Sequence, residues 1–195
     1  GIDGLAEKIN KIGMKFGLWF EPEMISPDSD LYREYPDWAI HIDKREGVQS
    51  RNQMVLDLSR DEVCEYVINA VSNILANANI EYVKWDMNRQ LTDMPRLGYN
   101  HEYTLGYYKI MSAITEKFPN ILFEGCSSGG GRFDAGVLAY MPQIWTSDNS
   151  DAIARLKMQY STSMCYPVYS ISSHVTASPN HQCGRDTSLR TRADV

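Results

Sequence analysis

The sequence is poor in the patterns that announce metal or redox chemistry. Its four histidines, His41, His101, His174 and His181, form neither an HxH nor an HExxH arrangement. Neither a metal nor any other cofactor is therefore expected. The four cysteines, Cys64, Cys126, Cys165 and Cys183, are far apart and include no CxxC pair, which excludes zinc-ribbon and thioredoxin-type readings. A chain of 195 residues has enough core to dispense with a disulfide framework, so free thiols and a reducing, cytoplasmic setting are expected. The opening "GIDGLAEKINKIGMK" carries no charged and apolar leader. No apolar run reaches the length of a membrane span. Basic charge is also scarce: 19 Lys and Arg stand against 25 Asp and Glu, for a net charge of -6. That balance argues against a nucleic-acid footprint, which needs a clustered basic face. Only "GRDTSLRTR" near the end is locally basic, and it reads as a solvated loop.

What the chain does have is alternation. "IDGLAEKINKIG" shows helical spacing at Leu5, Ile9 and Ile12, with Gly13 as its stop. "MKFGLWFE" reads as a buried strand and leads into a polar, proline-punctuated loop from Pro22 to about Gly47. "QMVLDLS" is a short apolar run, after which Ser59 and Glu62 have the spacing of a capping box. The following helix places Val63, Val67, Ala70, Ile74 and Ala78 on one face. "IEYVKWD" is the next strand, then a helix through Tyr107, Met111, Ile114 and Phe118 stops at Pro119. "ILFEGCS" is a strand, followed by a Gly-rich turn with a short helix and the strand "QIWTSD". Ser150 is placed to cap a helix carrying Ile153, Leu156 and Tyr160, and "YPVYSISSH" closes the series. Repeated strand and helix with short connections predict an α/β fold with a parallel sheet and right-handed crossovers.

The placement of polar residues points to one form of that fold. Trp19 and Glu21, Lys84 and Asp86, Cys126, and Asp148 all fall at C-terminal ends of strands, where a (β/α)8 TIM barrel gathers its chemistry. A dinucleotide-binding sheet would concentrate it at one Gly-rich turn. Five or six strand units are visible rather than eight. The expectation is a partial barrel, roughly strands 3 to 7, with residues 1–195 forming part of a single catalytic domain.

In "YVKWDMNR", side-chain alternation sets Lys84 and Asp86 on one strand face and Val83 and Trp85 on the other. A cation two residues before a carboxylate favours its charged form, as a nucleophile requires; a structural ion pair is the plain alternative. Asp148 follows "IWTS" with no cation beside it and would face the negative field of Asp86, which suits a proton donor. Its plain alternative is a helix cap before "NSDAIARL". Two carboxylates on the same face can divide the cleavage of a glycosidic bond between them. Trp19 reads as a platform for a sugar ring or as core. Glu23 reads as a hydrogen-bonding residue of the rim. "GCSSGGGRFD" lacks the Walker lysine and the dinucleotide spacing, so its glycines are expected to let backbone approach a ligand closely.

The motifs "FGLWFEPEMI", "RNQMVLDLSR", "YVKWDMNR", "FEGCSSGGGRFD", "WTSDNSDAIARLKMQYSTSM" and "SHVTASPNHQ" span nearly the whole chain. With them the sequence resembles the retaining α-galactosidases of glycoside hydrolase family 36. The resemblance implies Asp86 as nucleophile, Asp148 as acid/base, and a galactose subsite lined by Trp19, Arg51, Lys84, Asn88, Cys126, Gly129 and Trp145. The implied partner is an α-galactoside oligosaccharide of melibiose or raffinose type, with the parent enzyme expected to be a homo-oligomer. The family's earlier strands, one bearing an acidic pair for sugar hydroxyls, and its flanking β-rich domains have no counterpart here. Asn149 stands where many relatives carry a second aspartate. Other readings are an α-N-acetylgalactosaminidase or transglycosylase on the same scaffold, a non-catalytic carbohydrate-binding fragment, and a metal-dependent barrel hydrolase.

Overall fold

The computed structural model describes residues 1–195. It resolves into two compact units, Gly1–Leu122 and Phe123–Val195. The first holds α1 (Ile2–Lys11), β1 (Gly17–Phe20), β2 (Met24–Ile25), α2 (Asp30–Glu34), β3 (Met54–Val55), α3 (Asp61–Ala76), β4 (Tyr82–Trp85) and α4 (Tyr99–Lys117). Strand β5 (Leu122–Gly125) begins at its end. The second unit continues with β6 (Gln143–Trp145), α5 (Ala152–Ser163), β7 (Ile171–Ser172) and α6 (Leu189–Asp194). The architecture is the expected α/β alternation, with a five-stranded sheet in the order β1-β4-β5-β6-β7. The pairs β1–β4, β5–β6 and β6–β7 run parallel.

In the first unit the apolar stripe of α3 lies against α4. Its buried residues are Val63, Val67, Val71 and Leu75, and α4 answers with Tyr107, Ile110, Met111 and Ile114. The expected stripe through Ala70, Ile74 and Ala78 is therefore rotated. The helix stops at Ala76, where Asn77 turns its side-chain amide back to the Asn73 carbonyl at 2.6 Å, so Ala78 lies outside it. Close approach of α4 to the segment before α3 depends on Gly106. A Cβ there would stand 1.8 Å from the Leu58 carbonyl oxygen, a clash no rotamer relieves.

The loop expected from Pro22 to Gly47 is more structured than its composition implied. Strand β2 pairs antiparallel with β3, and between them lie α2 and a 3-10 turn at Pro36–Trp38. Tyr35 stacks on Trp38 with ring centroids 4.2 Å apart. The capping box at Ser59 does not form. Ser59 donates its hydroxyl to Asp57 Oδ1 at 2.6 Å, and α3 starts after Arg60 without a side-chain cap. The N-cap position falls on Arg60, one residue later than the spacing implied.

Glu23 does belong to the rim. It is fully buried and accepts hydrogen bonds from Trp85 Nε1 at 2.9 Å and the Tyr103 hydroxyl at 2.6 Å. Those two bonds tie β4 and α4 to the segment after β1. Glu23→Ala strands both donors in a dry interior and is expected to cost about 2–4 kcal/mol of stability. Urea denaturation checks this, and a midpoint within error of wild type would contradict it.

In the second unit two further expectations change. Helix α5 is capped by Asp151, whose carboxylate accepts from the Ala154 amide at 3.1 Å, not by Ser150. The apolar residues Ile153, Leu156 and Tyr160 are exposed, and α5 buries Ala152 and Arg155 instead. The basic tail is not wholly loop: Ser188 caps α6, and Arg192 donates to the Thr176 carbonyl at 2.6 Å. The closing strand shortens to Ile171–Ser172, preceded by a 3-10 turn at Val168–Ser170.

Candidate active site

In the first unit the site is built from the ends of β1 and β4. Their register sets Trp19 beside Lys84 and Phe20 beside Trp85. Asp86 is the first residue past β4, and its amide still bonds to the Phe20 carbonyl at 2.8 Å, so its backbone is held by the sheet. Asp86 is 5% exposed. Its Oδ1 accepts from the Met87 amide at 2.8 Å. Its Oδ2 accepts from Trp19 Nε1 at 3.1 Å and Asn88 Nδ2 at 2.7 Å. Both oxygens are thus oriented by donors of fixed position. The sequence offered only the cation of Lys84 for this purpose; the indole and the amide are additions of the fold. Trp19 is half exposed and aims its polar edge at Asp86, which rules out the core reading.

Glu21, which the sequence places at the end of a strand, has a side chain 6% exposed and braces the same cluster. Its Oε1 accepts from the Asn88 amide at 2.8 Å and lies 3.7 Å from Arg51 Nη1. Arg51 and Asn52 form the tip of a tight turn closed by Ser50 and Gln53, and both take left-handed backbone angles, φ 55° and 59°. A two-residue turn of this hand matches the twist of its flanking strands, and it displays Arg51 at the tip. Arg89 ties the chain after Asp86 to that turn, donating to the carbonyls of Val48 at 2.7 Å and Gln53 at 3.2 Å.

In the second unit Asp148 lies beyond the end of β6. It is solvent-exposed, and its Oδ1 accepts from Trp145 Nε1 at 3.0 Å. The device is the one seen at Asp86: a strand tryptophan donates its indole N–H to a carboxylate. The capping alternative for Asp148 is excluded, because Asp151 takes that position. Cys126 is buried at the end of β5 and opens the Ser127–Gly131 turn. Gly129, at φ +86°, allows that turn to touch the Asp148 segment, since a Cβ would lie 2.8 Å from Ser147 Cα. The Gly130 amide donates to the Thr146 carbonyl at 3.0 Å. At these glycines backbone meets backbone. Gln182 is a residue the sequence did not single out. Its Nε2 donates to the Asp148 carbonyl at 3.0 Å, and its Oε1 accepts from the Ser150 amide at 2.8 Å. His174 stands 4.8 Å from the Trp145 ring.

No group of three or more His, Cys, Asp or Glu side chains is gathered as a metal ion would require. All four cysteines are free thiols, and burial pushes Cys64 up to about 11. No helix is long and apolar enough to cross a membrane.

The family model described as Melibiase matches residues 1–195. "Alpha-galactosidase AgaA" of Geobacillus stearothermophilus is 55% identical over 100% of this chain and 28% of its own length. "Bifunctional alpha-galactosidase/sucrose kinase AgaSK" of Mediterraneibacter gnavus is 53% identical over 96% of this chain and 20% of its own length. The chain thus spans roughly a quarter of the curated relatives it matches. The crystal structure of AgaA superimposes with a TM-score of 0.95 over 98% of this chain and 28% of that one. Variants of that protein have been solved in complex with raffinose and with stachyose, each again at a TM-score of 0.95. An α-galactosidase of Thermus thermophilus, 19% identical, shares the fold at a TM-score of 0.66.

Proposed function

The chain belongs to the melibiase family, and from that premise we propose that it supplies the reacting carboxylates of a retaining α-galactosidase. The observation that carries the proposal is the pairing of each strand-end carboxylate with the indole N–H of a strand tryptophan, Trp19 on Asp86 and Trp145 on Asp148. Asp86 is buried and held through both oxygens, as a nucleophile of fixed aim requires. Asp148 is exposed and held through one, which suits a group that trades protons with leaving group and water.

In this reading Asp86 attacks the anomeric carbon of a terminal α-linked galactose. The glycosidic C–O bond breaks as Asp148 gives its proton to the departing oxygen. Asp148 then takes a proton from water, the water oxygen attacks the same carbon, and Asp86 is released with the α-configuration restored. Trp19, Arg51, Lys84, Asn88, Cys126, Gly129 and Trp145 line the sugar subsite. Oligosaccharides of melibiose and raffinose type are the substrates, in keeping with the raffinose and stachyose complexes of AgaA. The five-stranded sheet is in this reading part of a (β/α)8 barrel. Its outer strands β1 and β7 each leave an edge that closure of a ring would pair.

The full-length enzyme should hydrolyse p-nitrophenyl α-galactoside and leave the α-glucoside and the α-N-acetylgalactosaminide untouched. Absence of α-galactoside turnover would overturn the reading. Trp19→Ala should weaken galactose binding roughly tenfold, the worth of one stacked aromatic face and its polar edge. The ring is half exposed, so thermal stability should hold. Calorimetric titration with galactose beside a thermal melt separates the two effects. A large loss of stability with unchanged affinity would contradict the assignment.

A further inference from the structure

Three consecutive backbone carbonyls surround Asp148, and each is taken by a side-chain donor. Arg155 Nη1 donates to the Ser147 carbonyl at 3.0 Å and to the Asn149 carbonyl at 3.1 Å. Gln182 Nε2 donates to the carbonyl of Asp148 itself at 3.0 Å. The other donors of Arg155 are also engaged: Nη2 with Thr146 Oγ1 at 3.3 Å and the Ser172 carbonyl at 3.4 Å, and Nε with Gln159 Oε1 at 3.0 Å. Its guanidinium lies 4.5 Å from the centroid of the Trp145 ring, whose indole N–H holds Asp148.

Arg155 is 2% exposed, and burial lowers its pKa with no carboxylate opposing the shift. A buried cation without an anionic partner is expensive. A capped helix with Ala152 already buried does not need one to fold onto this segment. The cost therefore calls for another return. A guanidinium presents five N–H donors in a rigid planar fork, and here they meet five acceptors, three of them on residues 146, 147 and 149. No lysine or glutamine reaches that set at once.

We propose that Arg155, with Gln182, is a positioning residue for the general acid: the pair clamps the backbone on both sides of Asp148 and fixes where its carboxylate stands. The inference rests on Asp148 being the acid/base. Neither clamp residue touches substrate. Their effect is to hold a proton donor that sits exposed, on a segment outside any helix or strand, within reach of the departing oxygen. A misplacement of about 1 Å in such a group can cost on the order of 100-fold in rate.

The test is made in the full-length enzyme with two α-galactosides, one with a sugar leaving group and one with an activated dinitrophenol. Arg155→Lys keeps the charge and loses the fork. It should lower kcat/KM, which reads the glycosylation step, on the sugar-leaving substrate by roughly 10- to 100-fold and on the dinitrophenyl substrate by less than about threefold, because an activated leaving group needs little protonation. Gln182→Met, at an exposed position, removes the bonds to the Asp148 carbonyl and from Ser150 and should show the same split at smaller amplitude; it decides the matter if Arg155→Lys does not fold. Equal losses of kcat/KM on both substrates, or none, overturn the proposal. Asp148→Ala run in parallel separates the failures. A split there without one in the clamp variants defeats the clamp alone. No split in Asp148→Ala defeats both the clamp and the acid/base reading.

Discussion

Asp86→Ala in the full-length enzyme is expected to lower turnover of α-galactosides by about four orders of magnitude, near 5.4 kcal/mol at 1.36 kcal/mol per tenfold. Deletion of the carboxylate removes the atom that bonds to the anomeric carbon and leaves the Trp19 and Asn88 donors in place. The site so emptied has room for a small anion against the same donors. External azide should therefore restore turnover on an activated galactoside and yield the β-galactosyl azide, since attack comes from the face Asp86 occupied. Asn is the less informative replacement, because it fills the space azide must enter. Retention of near-normal activity in Asp86→Ala would show that the bond to sugar is made by another group.

Asp148→Ala is expected to divide substrates by leaving group. Hydrolysis of melibiose or raffinose, whose departing sugar oxygen must be protonated, should fall by about 10²–10⁴-fold. Release of dinitrophenolate should fall far less in the first step, and the slow step should shift to breakdown of the glycosyl-enzyme. Azide, which needs no deprotonation, should accelerate that second step. Steady-state rates on both substrates with and without azide measure all of this. Loss of kcat/KM by equal factors on both substrates would point to a structural part for Asp148.

The alternation of strands and helices was legible because buried strands here are short apolar runs and the buried residues Tyr107, Met111 and Ile114 of α4 recur three or four positions apart. The strand-end placement of Asp86 and Asp148 was legible because each follows a short apolar strand run. Caps were misread at Ser59 and Ser150 for one reason: each helix begins one residue later than the serine's position implies, with Arg60 and Asp151 at the N-cap. The stripe of α5 was misread because periodicity counts apolar residues and does not register a cation whose donors are all satisfied. Arg155 finds its partners in the backbone of residues 147, 149 and 172, which carries no side-chain signature. The partner of Glu21 carries no side-chain signature either, since it is the backbone amide of Asn88. Gly129 lies in a Gly-rich turn that the sequence marks for a close approach. Its contact, the Ser147–Asp148 backbone, is a tertiary fact that no local pattern encodes.

The central claim is that Asp86 forms a covalent bond to galactose. A fluorinated galactosyl fluoride that is attacked readily and released slowly should inactivate the full-length enzyme with one label per active site. Peptide mass spectrometry of the inactivated protein should then place the added sugar mass on Asp86. A label on any other residue, or steady turnover of the reagent with no labelled peptide in a fully active enzyme, would contradict the account.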